Sequence, residues 1–310
     1  MKQVTEIKTS KEDIASIIRD INSTKVTMLK GRDIFINSLM VTGYSENTLK
    51  NYEGDINFFH DFIKTKYKIS FLTDITYQHL EVYKRFLIER NAYPTACRKF
   101  SCLRTYFKTL YWEGLIPCNI IDSLKEDDFG IKKRDKQENL DEIRKQILSK
   151  GTIAELFKRV KNDRSKNMRR DLALFYILFM GLSRSEVLFL KWEDINFKNK
   201  TISIYRPKKD TYDIVALPDS AYDALMKYYK SCMYKIEVYT KVFNISTTPY
   251  NKIIKKYTSG LKTETGDTNI VGHCARHSAV AYMVRANKPL SEIQKVVGIS
   301  LDKLQVYMYL

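Results

Sequence analysis

Apolar residues along this chain recur mostly three and four positions apart, the spacing of helices that bury one face. After a potential cap at Ser10, Ile14, Ile17, Ile18 and Ile21 predict a short helix, and polar residues then run to Gly31. We read residues 1–30 as an N-terminal arm. Ser45 is placed to cap a helix carrying Tyr52, Ile56, Phe59 and Ile63, and Thr76 one carrying Leu80, Tyr83 and Leu87. A third helix begins near Pro94, a residue suited to a first turn, and runs to about Glu113 with Phe100, Leu103, Phe107 and Leu110 as its stripe. Arg98, Lys99, Arg104, Thr105 and Lys108 fall outside that stripe, which predicts an apolar inner face and a cationic outer one. Residues 31–124 therefore predict a small, all-helical domain.

Periodicity then lapses. Residues 125–145 mix charges of both signs, Lys125-Glu126-Asp127-Asp128 and Lys132-Lys133-Arg134-Asp135-Lys136, and predict a linker. A second domain, 146–310, opens near Ile147 and contains a strongly apolar helix from Arg169 to Met180, stopped by Gly181. The next helix carries Val187, Leu188 and Leu190. Alternating residues at Thr201 to Tyr205 and Tyr212 to Leu217 flank Arg206-Pro207-Lys208-Lys209-Asp210-Thr211, a β-hairpin with a basic tip. Helices resume to the C-terminus, one of them startable by Thr248 and Pro249. The fold class expected is mainly α with a small β-hairpin or sheet, an α+β arrangement in two domains, as the length of 310 residues also suggests.

A formal net charge of +17 adds a class of partner, because such an excess attracts polyanions and releases counterions from the phosphates it neutralises. Nucleic acid leads; the same surplus also serves solubility, and charge alone does not separate DNA from RNA or an anionic membrane. The apolar stretch Leu172 to Met180 is too short to span a bilayer, and the charged N-terminus lacks a secretory apolar run. A cytoplasmic protein with no membrane partner is expected. Five cysteines, Cys97, Cys102, Cys118, Cys232 and Cys274, are odd in number and lack zinc-ribbon spacing, which predicts reduced thiols and neither disulfides nor a metal cofactor.

Cleaving a phosphodiester needs a nucleophile, cations around the phosphoryl oxygens and an acid for the leaving oxygen. The second domain offers all three. In His273-Cys274-Ala275-Arg276-His277, His273 and Arg276 share a face if the segment is helical. Tyr307 lies in Gln305-Val306-Tyr307-Met308-Tyr309, after the apolar helix Ile293 to Val297. Each piece alone has a plainer explanation: a surface helix pair, one packing tyrosine among 21, a solvated turn lysine at Lys208. Zinc on His273, Cys274 and His277 lacks a fourth ligand at suitable spacing.

Order and spacing together change that judgement, because the chain resembles the tyrosine recombinase and phage integrase family. Members carry Gly-Leu-Arg-x-Ser-Glu, a hairpin lysine, His-x-x-Arg-His, Leu-Gly-His and then the tyrosine. This chain has Gly181-Leu182-Ser183-Arg184-Ser185-Glu186, then Leu190-Lys191-Trp192-Glu193-Asp194-Ile195, Lys208, His273-Cys274-Ala275-Arg276-His277-Ser278, Ile293-Gln294-Lys295-Val296-Val297-Gly298, and Gln305-Val306-Tyr307. Its N-terminal part is similar to the family's core-binding domain in Ser45 to Asn51 with Tyr52 and Asp55, in Leu72-Thr73-Asp74-Ile75-Thr76, and in Arg98 to Phe107 before Asn119. Three departures stand out. Ser183 occupies the place of the family's first catalytic arginine, with Arg184 one position later; Ile299 follows Gly298 where a His or Trp is usual; and the gap to Tyr307 is one residue shorter.

The resemblance implies a C-shaped clamp on double-stranded DNA and site-specific strand exchange, by a homo-tetramer on two paired sites that is a monomer or dimer off DNA. Tyr307, favoured over Tyr309 by the approach Gln305-Val306-Tyr307, would attack the scissile phosphate to give a 3′-phosphotyrosyl intermediate. Arg276 and Arg184 would stabilise the transition state, Lys208 would protonate the leaving oxygen, and His273 would assist. Glu186 would be a buttress. Arg98, Lys99, Arg104, Lys108 and Lys209 are the expected DNA contacts, and neither ATP nor a metal cofactor is implied. Ser183 and Ile299 keep a second reading open, a DNA-binding protein on the recombinase fold that has lost cleavage. A topoisomerase of related mechanism is disfavoured by the recombinase-like core-binding pattern.

Overall fold

The computed structural model describes residues 25–122, 136–206, 210–232 and 240–310. The arm helix expected over Ile14 to Ile21 and the hairpin-tip residues Lys208 and Lys209 lie outside the described residues. The chain divides into two compact units, Met1–Lys133 and Arg134–Leu310.

Four helices build the first unit: α1 (Met28–Val41), α2 (Glu46–Tyr67), α3 (Tyr77–Arg90) and α4 (Tyr93–Trp112). Their starts follow the capping chemistry of the sequence. Thr27 and Ser45 accept from the backbone N–H three residues on, the Thr76 N–H donates to His79 Nδ1, and Pro94 sits in the first turn of α4. The stripes expected for α2, α3 and α4 all face inward: Ile56, Phe59, Ile63, Leu80, Tyr83, Leu87, Phe100, Leu103, Phe107 and Leu110 are buried. Burying a side chain of this size contributes about 1.5–3 kcal/mol before the entropy of ordering it. Tyr106 of α4 is also fully buried and meets His60 of α2, Nε2 to Oη 3.0 Å, inside a ring of Phe35, Phe59 and Phe107.

The second unit opens with α5 (Lys136–Arg144), so part of the segment expected to be linker is helical. Its Leu140 is buried, and Ile143 packs against a cluster that includes Ile147, Val280, Ile293 and Val297. Next come α6 (Lys150–Lys161) and α7 (Met168–Phe179), the central helix, whose Ala173, Leu174, Ile177 and Leu178 are buried. Gly181 ends it with φ +96°, and a Cβ there would lie 2.6 Å from Val297 Cγ1, so both conformation and space demand glycine. A short α8 (Arg184–Phe189) leads into an antiparallel sheet of β1 (Ile195–Asn196), β2 (Thr201–Arg206) and β3 (Thr211–Ala216), in the order β1-β2-β3. The register pairs Ile202 with Val215 and Arg206 with Thr211. Then follow α9 (Asp219–Cys232), α10 (Thr247–Thr258), α11 (Gly272–Arg285), α12 (Leu290–Val297), α13 (Leu301–Gln305) and a closing 3-10 turn, Val306–Tyr309. This is the mainly helical architecture with one small sheet that the sequence predicts.

Candidate active site

Three elements of the second unit converge on Glu186. Ser183 caps α8: its Oγ accepts from the Glu186 N–H at 3.4 Å, and Glu186 Oε2 accepts from the Ser183 N–H at 2.6 Å. This reciprocal box fixes the carboxylate. Arg276, buried on α11, donates from Nη1 to Glu186 Oε2 at 3.3 Å and from Nη2 to the Val297 carbonyl at 2.6 Å. Burial pulls its ionisation below the usual guanidinium range and Glu186 opposes that pull. From the end of β2 comes a partner the motifs do not announce. Arg206, only 3% exposed, donates to Glu186 Oε1 at 2.8 Å, to Asp213 Oδ2 at 2.9 Å, and to the carbonyls of Lys295 and Val296 at 2.9 and 2.8 Å. Of the five N–H donors of a guanidinium, four are thus committed to the protein, whereas Arg276 commits two. Gly298, with φ +69°, makes room: a Cβ there would stand 2.8 Å from Arg206 Cζ.

On the same α11, His277 Nδ1 lies 2.6 Å from Tyr307 Oη. Tyr307 is carried by the C-terminal turn, which folds back because Leu304 and Tyr307 pack into the cluster of Ile147, Val280, Ile293 and Val297. Arg144 holds the turn from α5 by donating to the Tyr309 carbonyl at 3.1 Å. Burial raises the Tyr307 phenol to about 12, with Arg276 opposing. Burial, then the neighbouring His273 and Arg276, lower His277 to about 4, so the imidazole is neutral at pH 7. His273 is exposed, and its ring stands edge-on to His277 at 4.4 Å between centroids.

The expected site residues thus fall into two groups. Arg276, bonded to Glu186, lies close enough to the His277–Tyr307 pair to act on both electrostatically; His273 and Arg184 line a neighbouring hollow of about 840 Å³ together with Ser183, Tyr250 and Lys255. Arg184 is exposed at the first turn of α8. Tyr250 is buried, its hydroxyl lacks a partner among the described residues, and it packs so tightly on Gly272 that a Cβ there would fall 1.9 Å from Oη. Ile299 is half-buried in the cluster beneath Tyr307 and offers no side-chain donor. Tyr309, the alternative nucleophile, is exposed. Cys274 is buried with its thiol against the Val271 N–H, and no group of metal-ligating residues forms among the described residues. Lys208 and Lys209 lie outside them.

Two residues escaped the sequence reading. Arg206 was legible in principle, since Ile202, Ile204 and Arg206 share the inward parity of β2 and an arginine on an apolar face calls for buried partners. His277 stands within the quoted box, but its partner lies thirty positions away. In the first unit, Arg98 and Lys99 of α4 both pair with the buried Asp55, Lys99 Nζ at 2.9 Å from Oδ1. Lys99, 15% exposed and stacked on Phe58, is therefore turned inward, contrary to the outer face expected of it. Arg98 is exposed, Arg104 lies over Phe100, and the exposed Lys108 lies over Trp112.

Comparison with known proteins agrees with this architecture. Residues 146–308 match the phage integrase family, and residues 33–114 match its N-terminal SAM-like domain. The chain belongs to the phage integrase family of tyrosine recombinases. It is 25% identical over 285 residues to the tyrosine recombinase XerC of Staphylococcus aureus (strain USA300 / TCH1516), a match spanning 86% of this chain and 87% of that protein. Among solved structures, a lambda integrase dimer bound to a COC′ core site is similar with a TM-score of 0.70 and 18% identity, over 97% of this chain and 81% of that one. XerH bound to its difH substrate in a pre-cleavage complex gives a TM-score of 0.65 and 16% identity, over 98% and 87%. A lambda integrase tetramer on a Holliday junction gives 0.66 and 18%, over 96% and 83%. No helix among the described residues is long and apolar enough to cross a membrane.

Proposed function

We propose that this protein is a site-specific DNA recombinase that cuts and rejoins strands through a 3′-phosphotyrosyl link to Tyr307. The observation that carries the reading is the His277–Tyr307 hydrogen bond under the charge of Arg276, itself bonded to Glu186, within the stretch that matches the family. Arg276 keeps N–H donors unspent for a phosphate, and in a water-poor site each such donor stabilises a charged phosphoryl transition state strongly. Arg184 supplies the second cation from the rim of the hollow, since Ser183 has none to give. His273 touches the phosphate from the same hollow, and Lys208 protonates the leaving 5′ oxygen. The phosphotyrosyl ester retains the energy of the broken bond, so rejoining requires no ATP. By analogy with the DNA-bound lambda integrase dimer and tetramer, the chain acts as a tetramer on two paired duplex sites, with Arg98, Arg104 and Lys108 of α4 on DNA phosphates.

The test is a covalent adduct. A duplex selected by binding from a random-sequence pool is rebuilt with a nick a few bases 3′ of the scissile phosphate, so that the freed 5′-hydroxyl fragment is lost. A band retarded on a denaturing gel is expected; binding without any band overturns the recombinase reading in favour of a cleavage-deficient DNA-binding protein. That second reading has one observation behind it, the use of Ser183 purely as a helix cap. Ser183→Arg and Arg184→Ala separate the two. If Arg184 serves, Arg184→Ala loses on the order of 10²-fold in cleavage; a large gain from Ser183→Arg with no loss from Arg184→Ala favours the cleavage-deficient chain.

A further inference from the structure

We infer that His277 is the group that takes the proton from Tyr307 as its oxygen attacks the phosphate, a role that rests on Tyr307 being the nucleophile. The geometry is direct. Nδ1 lies 2.6 Å from Oη, within the range of proton transfer, and the two rings stack nearly parallel, 25° apart with centroids at 5.9 Å. His273, the residue expected to assist, has no hydrogen bond to Tyr307 among the described residues; it meets His277 edge-on instead.

A phenol that ionises near 12 is almost wholly protonated at pH 7, so attack needs a base within reach. His277 is neutral there and therefore able to accept. The groups that face it are His273 and Arg276 on its own helix and Tyr307 on the closing turn; Glu186 of α8 and Arg206 of β2 act on it through Arg276. Ile293, Val297 and Leu304, from α12 and α13, are apolar neighbours of Tyr307 in its cluster. No carboxylate hydrogen-bonds His277 among the described residues, so the imidazolium it forms is held beside the Arg276 cation and returns its proton readily on rejoining.

The step balances as follows. The Tyr307 O–H bond breaks and its proton goes to Nδ1, the Tyr307 Oη–P bond forms, the P–O5′ bond breaks, and the 5′ oxygen collects a proton from its own acid. Rejoining reverses each transfer.

The test measures single-turnover adduct formation on the nicked duplex with sulfur in place of the 5′ leaving oxygen, between pH 6 and 9. Sulfur needs no proton to leave, so attack alone sets the rate. The wild-type rate is expected to be flat over this range. His277→Gln, which keeps a polar side chain that takes no proton, is expected to fall on the order of 10²-fold at pH 7. Its rate should then rise about tenfold per pH unit as solvent takes over deprotonation. A flat His277→Gln profile at any speed assigns His277 a structural role, and a faster variant makes it a latch on Tyr307; either overturns the inference. Should His277→Gln fail to fold, the wild-type profile decides alone, since a tenfold rise per pH unit leaves no role for a neutral base. An adduct on Tyr309, or none, overturns this inference and the reading of Tyr307 together, whereas a Tyr307 adduct with an unaltered profile overturns this inference only.

Discussion

The two units each contain a histidine hydrogen-bonded to a buried tyrosine, His60 itself buried and His277 half-buried, and the pairs differ in what surrounds them. In the first unit, His60 and Tyr106 lie 3.0 Å apart among Phe35, Phe59 and Phe107. In the second, His277 and Tyr307 lie 2.6 Å apart beside Arg276, which is tied through Glu186 to Arg206. Burial lowers both histidines to about 4 and raises both phenols. The ionisation of the pair is therefore no guide to reactivity. What sets the second apart is a guanidinium with unspent donors, a carboxylate fixed by a helix cap, and an exposed His273 at the rim. Low dielectric alone makes a rigid core pair; low dielectric with a placed cation makes a site that favours charge developing on phosphate.

The sharpest break between the pairs comes from removing each hydroxyl. Tyr307→Phe is expected to abolish the covalent adduct entirely while leaving DNA binding within twofold. Tyr106→Phe is expected to leave cleavage per folded molecule unchanged and to cost about 1–3 kcal/mol of stability, because His60 loses a buried partner. Gel assay and denaturant melts of the same two variants check both halves.

Next in size is Arg206→Met. It strips Glu186 of one of its two arginines and leaves Asp213 and two carbonyls of α12 unpaired, so about 3 kcal/mol of stability should be lost. Cleavage should also fall by roughly 10²-fold, since Arg276 loses its fixed neighbour. A chemical melt and a single-turnover rate on the folded fraction separate the effects; an unchanged rate would confine Arg206 to the core.

The core pair has a signature in acid. A histidine that ionises at 6.5 when unfolded and at about 4 when folded stabilises fully above pH 6.5, and this contribution is lost as pH falls towards 4. For His60 the loss is about 3 kcal/mol, and His60→Gln should remove its share of the slope between those pH values. An identical acid slope in wild type and variant would mean that His60 is not the group responsible.

The smallest effect is electrostatic. If α4 lies on DNA, neutralising Arg104 and Lys108 should flatten the slope of log affinity against log salt by about 0.9 for each phosphate contact removed. A slope that does not move would take this face off the duplex.

Much of this was legible in the sequence, and what was not has identifiable causes. The stripe of α4 and its start at Pro94 follow from helical spacing and the fixed φ of proline. Periodicity says which face a residue occupies but not what its charge will meet, so the spacing sets Lys99 on the outer face although Asp55 on α2 draws it in. The helix α5 was hidden in a stretch of mixed charge because only Leu140 and Ile143 anchor it, too few for a stripe. Arg206 looks like part of a basic turn because lysines follow it closely, whereas its strand parity sets it inward. The motifs place His273, Arg276 and Tyr307 in one domain, but that Tyr307 docks on His277 depends on the C-terminal turn folding onto the cluster of Ile147, Ile293 and Val297, a tertiary event that no local pattern encodes.

The role of Tyr307 is tested most directly by isolating the denatured adduct from the nicked duplex, digesting protein and DNA, and locating the nucleotide by peptide mass. One modified residue is expected, a 3′-phosphonucleotide on Tyr307. A nucleotide on Tyr309, on any other side chain, or on none would contradict it.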